Sequence, residues 1–193
     1  MEAYSAYLEH FLIEETQHLR FFSEFCRRYG GRTYPTRSLE FPDRASAEER
    51  RFLIFAGILI FEETGHFYNV SMMNDPDLPP IVRAVNRTHY DYEGRHIAAG
   101  RQMVADLYDG FARSAKQADL ARLRAKVGEL RLMNFTTYYN PQVYADTDLE
   151  EPFALAATLS AHPGRLAWQA KISTKSTKFF DRLFGQLEDS QGS

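Results

Sequence analysis

The sequence predicts an all-α protein. Three observations carry that reading. Apolar residues recur at helical spacing through most of the chain. The stripes are separated by Gly-Gly, Asn-Asp-Pro and His-Pro-Gly breakers. No segment shows the strict alternation of a half-buried strand. At 193 residues the chain can bury a substantial core, and no linker or low-complexity tract divides it, so residues 1–193 are read as one domain.

The first helix is expected over residues 3–28, with Leu8, Phe11, Leu12, Leu19, Phe22 and Phe25 on its inner stripe and Gly30-Gly31 as its stop. Residues 31–45 hold two prolines and read as a loop. Ser46-Ala-Glu-Glu49 then looks like a capping box, with Glu49 reaching back to open a helix over 47–73. That helix is apolar nearly all round from Phe52 to Phe61, so it belongs in the interior. Asn74 to Pro80 breaks the chain, and a third helix covers 80–113 with a proline in its first turn. A fourth, 113–134, carries Leu120, Leu123, Val127, Leu130 and Met133 on one stripe. Residues 136–151 read as irregular, 152–161 as a short apolar helix and His162-Pro-Gly164 as a loop. A last helix covers 165–186, and the tail from about 185 to 193 is expected to be disordered.

Composition excludes several functions. The net charge is −3 with mixed signs, which does not make the basic face a nucleic-acid binder needs. The longest apolar run, Phe52 to Phe61, is about half of the roughly 20 residues a membrane span requires. No basic-then-apolar leader opens the chain. The single cysteine, Cys26, forbids an intrachain disulfide and fits core packing better than nucleophilic chemistry. Cytoplasmic residence is the expectation.

Two near-identical pentads, EETQH (14–18) and EETGH (62–66), and the stretch HYDYEGRH (89–96) each place Glu three residues before His. A lone Glu-x-x-His is ordinarily two exposed neighbours on a helix. Here the apolar registers argue otherwise. Glu15 continues the stripe of Leu8, Phe11, Leu19 and Phe22, with His18 one turn on. Glu62 continues Phe55, Ile58 and Leu59. His89, Glu93 and His96 lie between Val82 and Val85 at one end and Met103 at the other. Buried carboxylates and imidazoles are costly unless paired or bound to metal, and a pair of divalent cations relieves their repulsion. Carboxylate and imidazole without thiolate suits Fe(II) or Mn(II) better than structural zinc. Glu and Glu-x-x-His on facing helices is the pattern of di-iron and di-manganese carboxylate bundles.

The stretches FEETGHFYN and DPDLPPIVRAVNRTHYDYEGRHIAAG resemble the AurF-type di-iron N-oxygenases, which convert arylamines to nitro compounds. The likeness is strongest over residues 5–110. It rests on the order Glu-x-x-His, lone Glu, then His-x-x-x-Glu-x-x-His. It implies a ferritin-like bundle in which Glu15, His18, Glu62, His89, Glu93 and His96 hold two irons. It also implies O2 and a small-molecule amine as substrates, an external electron donor in the absence of a GxGxxG fingerprint, and a homodimer. The family adds one Glu from a helix upstream of the first pair. This chain is expected to lack that helix, leaving Glu63 and His66 as candidates to replace the ligand. Tyr92 stands where the family often has Asp. A haem-oxygenase-like di-iron oxidase, a ferritin-like iron-handling protein, and a helical structural protein without oxygenase activity stay open beside this reading. Tyr90 and Tyr92 flank the triplet as hydrogen-bond donors or as packing. His10 and His162 have no ligand partners in sequence, and the basic run 171–182 reads as a solvated helix face.

Overall fold

The computed structural model describes residues 2–34 and 45–191, with the side chains of residues 2, 3 and 186–191 left aside. Most of the expected 31–45 loop therefore lies outside the described residues. Among those described there are eight helices and no strand. They are α1 (Glu2–Tyr29), α2 (Ala47–Met73), α3 (Pro80–Ala112), α4 (Gln117–Tyr138), α5 (Pro141–Ala145), α6 (Pro152–Ser160), α7 (Pro163–Ile172) and α8 (Thr174–Gln191).

Local chemistry sets the boundaries. α1 ends where the Gly30 N–H donates to the Cys26 carbonyl at 2.7 Å, and Gly31 follows with φ +76°, which a glycine adopts without steric cost. Ser46 caps α2 by accepting from the Glu49 N–H at 3.1 Å. The Glu49 carboxylate does not reach back as expected. It is buried and receives the Arg122 guanidinium of α4 at 3.0 and 3.2 Å. A tertiary ion pair has displaced a local cap, because an unpaired carboxylate in the interior would cost more than an unfilled cap. α4 begins later than predicted, at Gln117, where Asp119 accepts from the Lys116 N–H. It also runs on to Tyr138.

The stretch read as irregular contains α5, opened by Asn140, whose side chain accepts from the Gln142 N–H at 3.0 Å, and by Pro141 at the first helical position. His162 likewise caps α7 by accepting from the Gly164 N–H at 3.1 Å, so the expected loop is a helix start. The expected last helix is two. Ser173 Oγ and Thr174 Oγ1 donate to carbonyls four residues back, and such back-bonding bends a helix. α8 continues to Gln191 through much of the stretch expected to be disordered.

α2 is the central helix. It runs antiparallel to α3, with Phe52 beside Tyr108 and Asn69 beside His89, and parallel to α4, with Glu49 on Arg122 and Thr64 on Asn134. The core joins Phe52, Leu53, Ala56, Leu59 and Ile60 of α2, Val104, Tyr108 and Phe111 of α3, Leu123 and Val127 of α4, and Phe180, Leu183 and Phe184 of α8. α1 contributes nothing to it. Leu12 and Leu19, expected on its inner stripe, are 63% and 69% exposed. The only buried side chain described on α1 is a polar one, His18. α1 lies antiparallel along α3, with Tyr4 hydrogen-bonded to Asp106 at one end and Phe22 against His89 toward the other.

Truncating the fully buried Phe180 to Ala is expected to cost about 3–5 kcal/mol. Leu19→Ser on the open face of α1 should stay within about 0.5 kcal/mol. Urea unfolding of both variants measures the contrast. Equal losses would place α1 in the cooperative core.

Candidate metal centre

The polar residues absent from the core meet on the other side of α2, between α1, α2 and α3. Glu93 is fully buried, His96 is 2% exposed, and Glu62 and His18 are buried. His89 and Glu15 are partly covered. Glu15, His18, Glu93 and His96 each offer one ligand atom, and these atoms lie within 4.8 Å of one another. His18 Nδ1 stands 3.0 Å from Glu15 Oε1, and His96 Nδ1 stands 3.3 Å from the same oxygen and 4.0 Å from Glu93 Oε2. His89 Nε2 is 2.7 Å from Glu93 Oε1, and its ring lies 4.5 Å from that of His18. An apolar cleft ends on Glu62 and His96. The structure thus brings Glu15, His18, Glu93 and His96 within reach of one cation and sets Glu62 and His89 beside Glu93.

Glu63 and His66, the candidates to replace the upstream carboxylate, are not in this group. Glu63 receives the Arg101 guanidinium at 2.8 Å, and His66 stacks on Tyr90 at 5.0 Å. α2 turns about 100° per residue, so neighbours in the EET stretch point to different sides. Two residues outside the Glu-x-x-His pairs also belong here. Glu14 Oε2 lies 2.8 Å from His96 Nε2, while its other oxygen receives Arg95 at 2.9 Å. Asn69, itself buried, meets His89 Nδ1 at 2.7 Å. Glu14 is legible as the first letter of EETQH. Asn69 carries no sequence signal of its own.

The group is electrostatically crowded. Burial, then the facing Glu93 and Glu15, push the Glu62 carboxyl far above the usual carboxylate range. Burial also works against ionisation of Glu15, yet the His18 and His96 imidazoles beside it hold it down to about 2. Burial depresses His96, but Glu15 and Glu14 outweigh it and raise the imidazole to about 9. His89 is depressed to about 4 by burial and by the adjacent His18. Both Glu93 oxygens and His96 Nδ1 are buried without a hydrogen-bond partner, the 2.7 Å approach of His89 being misaligned for one. Orphaned donors of this kind, aimed at a common centre, fit a cation.

Fold and site together define a helical protein with an interior group of carboxylates and imidazoles that could hold a metal ion. Residues 2–183 match the family P-aminobenzoate N-oxygenase AurF. The chain belongs to the P-aminobenzoate N-oxygenase AurF family, and with it to a family of di-iron oxygenases. Neither a curated protein nor a solved structure matches it. No described helix is long and apolar enough to cross a membrane.

Two measurements follow. At neutral pH Glu62 and His96 both carry a proton that a bound cation must displace. Metal affinity should therefore rise with pH from about 7 toward 9, and calorimetry in buffers of different ionisation enthalpy should show about two protons released per site. A pH-independent affinity over that window would contradict the assignment. Separately, α1 is held by site residues rather than by the core. Metal should slow amide exchange in α1 far more than in the core half of α2.

Proposed function

We propose that this chain is an O2-dependent, non-haem di-iron oxygenase that oxidises the nitrogen of an amine, an arylamine in the first instance. The grouping of Glu15, His18 and His96 with the unpartnered Glu93 carboxylate, and of Glu62 and His89 beside it, supports the reading. Glu15, His18, Glu93 and His96 would hold one metal, and Glu62 and His89 would complete a second with Glu93 placed between. The carboxylate–imidazole donor set suits iron, and manganese as an alternative. When bound, iron supplies the activation of O2, and its electrons come from an external donor.

The chain's own residues provide the rest. The cleft beside the centre is lined by Tyr7, Phe11, Phe55, Ile58 and Met103 and ends on Glu62 and His96. Its walls suit a flat apolar ring and keep water from the reacting nitrogen. Burial, reinforced by the nearby carboxylates, pushes the Tyr7 phenol up to about 12. It therefore stays protonated at neutral pH and can donate a hydrogen bond into the cleft. Glu62, protonated before metal loading, gives up its proton to become a ligand.

Anaerobic ferrous loading should bring iron close to two per chain, and the double variant His89→Ala, Glu93→Ala should lower occupancy about tenfold or more. Loaded protein given O2, reductant and an arylamine should yield hydroxylamine or nitro product by mass spectrometry. Iron staying below one per chain would defeat the di-metal reading. Full loading with no oxidised amine across a panel of aryl and alkyl amines would defeat the N-oxygenase reading alone.

A further inference from the structure

The two imidazoles of the third helix face the centre through different ring nitrogens. His96 turns Nδ1 inward, toward Glu15 and Glu93, and His89 turns Nε2 inward, toward Glu93. The outward nitrogen is met in each case by a different residue from another helix: Glu14 of α1 on His96 Nε2, Asn69 of α2 on His89 Nδ1. We propose that Glu14 and Asn69 are positioning residues that select which ring nitrogen each histidine presents to the metal. This inference rests on the metal-centre reading above.

The chemistry constrains the partners. A neutral imidazole carries one N–H and one lone pair, so a proton held on one nitrogen frees the other to bind metal. A carboxylate can only accept, so Glu14 fixes the His96 proton on Nε2 and leaves the Nδ1 lone pair for the metal. Arg95 restrains the carboxylate by taking its second oxygen, and Arg95 in turn lies over the Tyr92 ring at 5.4 Å. Asn69 can do the same for His89 by presenting its amide oxygen to an Nδ1–H. Its amide nitrogen would instead put the proton on Nε2 and block the ligand. Metal binding at His89 therefore selects the orientation of Asn69 with its oxygen toward the ring. Glu14 is suited to this task and not to being a ligand, because it sits on the side of His96 facing away from the other donors. The two pentads thus divide their glutamates: Glu15 and Glu62 face the centre, while Glu14 and Glu63 pair with Arg95 and Arg101 on the flanks.

The test uses zinc, which is redox-silent and diamagnetic, on the full chain. Long-range ¹⁵N–¹H spectra of zinc-loaded protein should show His96 bound through Nδ1 and His89 through Nε2. Glu14→Ala should bind zinc about 10–100-fold more weakly, and Glu14→Gln, which keeps an accepting oxygen, should recover much of that loss. Asn69→Asp should bind at least as well as wild type, whereas Asn69→Leu should lose about tenfold or more. Thermal unfolding of each variant without metal separates this from a packing defect. His96 bound through Nε2, or a Glu14→Ala protein that binds zinc within twofold of wild type, would overturn the proposal and leave the metal centre standing. A wild-type chain that binds no zinc, cobalt or iron would overturn both.

Discussion

The structure depends on the burial of Glu93. A carboxylate with no exposed surface and no hydrogen-bond partner on either oxygen sits midway along the longest helix, among three imidazoles and two more carboxylates. Water cannot solvate it, and among the described residues no arginine pairs with it. Elsewhere in this molecule buried carboxylates follow the ordinary rule: Glu49 takes Arg122 and Glu63 takes Arg101. The exception at Glu93 makes chemical sense where a cation completes the group. In the absence of a cation the cluster shares its charge by keeping a proton on Glu62 and a positive charge on His96.

That constraint also divides the labour among helices. The core half of α2 packs on α3, α4 and α8 through aliphatic and aromatic side chains, and it makes a stable platform. The site half of α2 and α3 is roofed by α1, which brings Glu15 and His18 but none of the described core residues. α2 and α3 hold Glu62, His89, Glu93 and His96, while Glu15 and His18 arrive on a helix outside the core. Binding at the centre and docking of α1 are therefore linked energetically.

Much was legible in the sequence. α2 and α3 appear where the apolar runs, the serine cap and the prolines placed them, and four of the six ligand candidates, Glu15, His18, Glu93 and His96, come within reach of one cation. What was not legible lay in competition between partners. Ser46 and Glu49 read as a capping box, yet Glu49 is drawn to an arginine more than seventy residues away. Leu12 and Leu19 read as an inner stripe, yet α1 turns other residues toward its neighbours and leaves them in water. Asn140-Pro141 and His162-Pro163 read as breaks, when the side chain before each proline caps a helix.

The sequence by itself determined the helical class, the principal boundaries and which carboxylates and imidazoles are candidates to bind metal. Those follow from periodicity and spacing, which are local. Tertiary structure decided where the other glutamate of each EET pair goes, and which side chains stand behind the histidines. Glu14 meets His96 and Arg95, and Glu63 meets Arg101. Those partners come from a neighbouring helix, so no spacing within α1 or α2 can announce them.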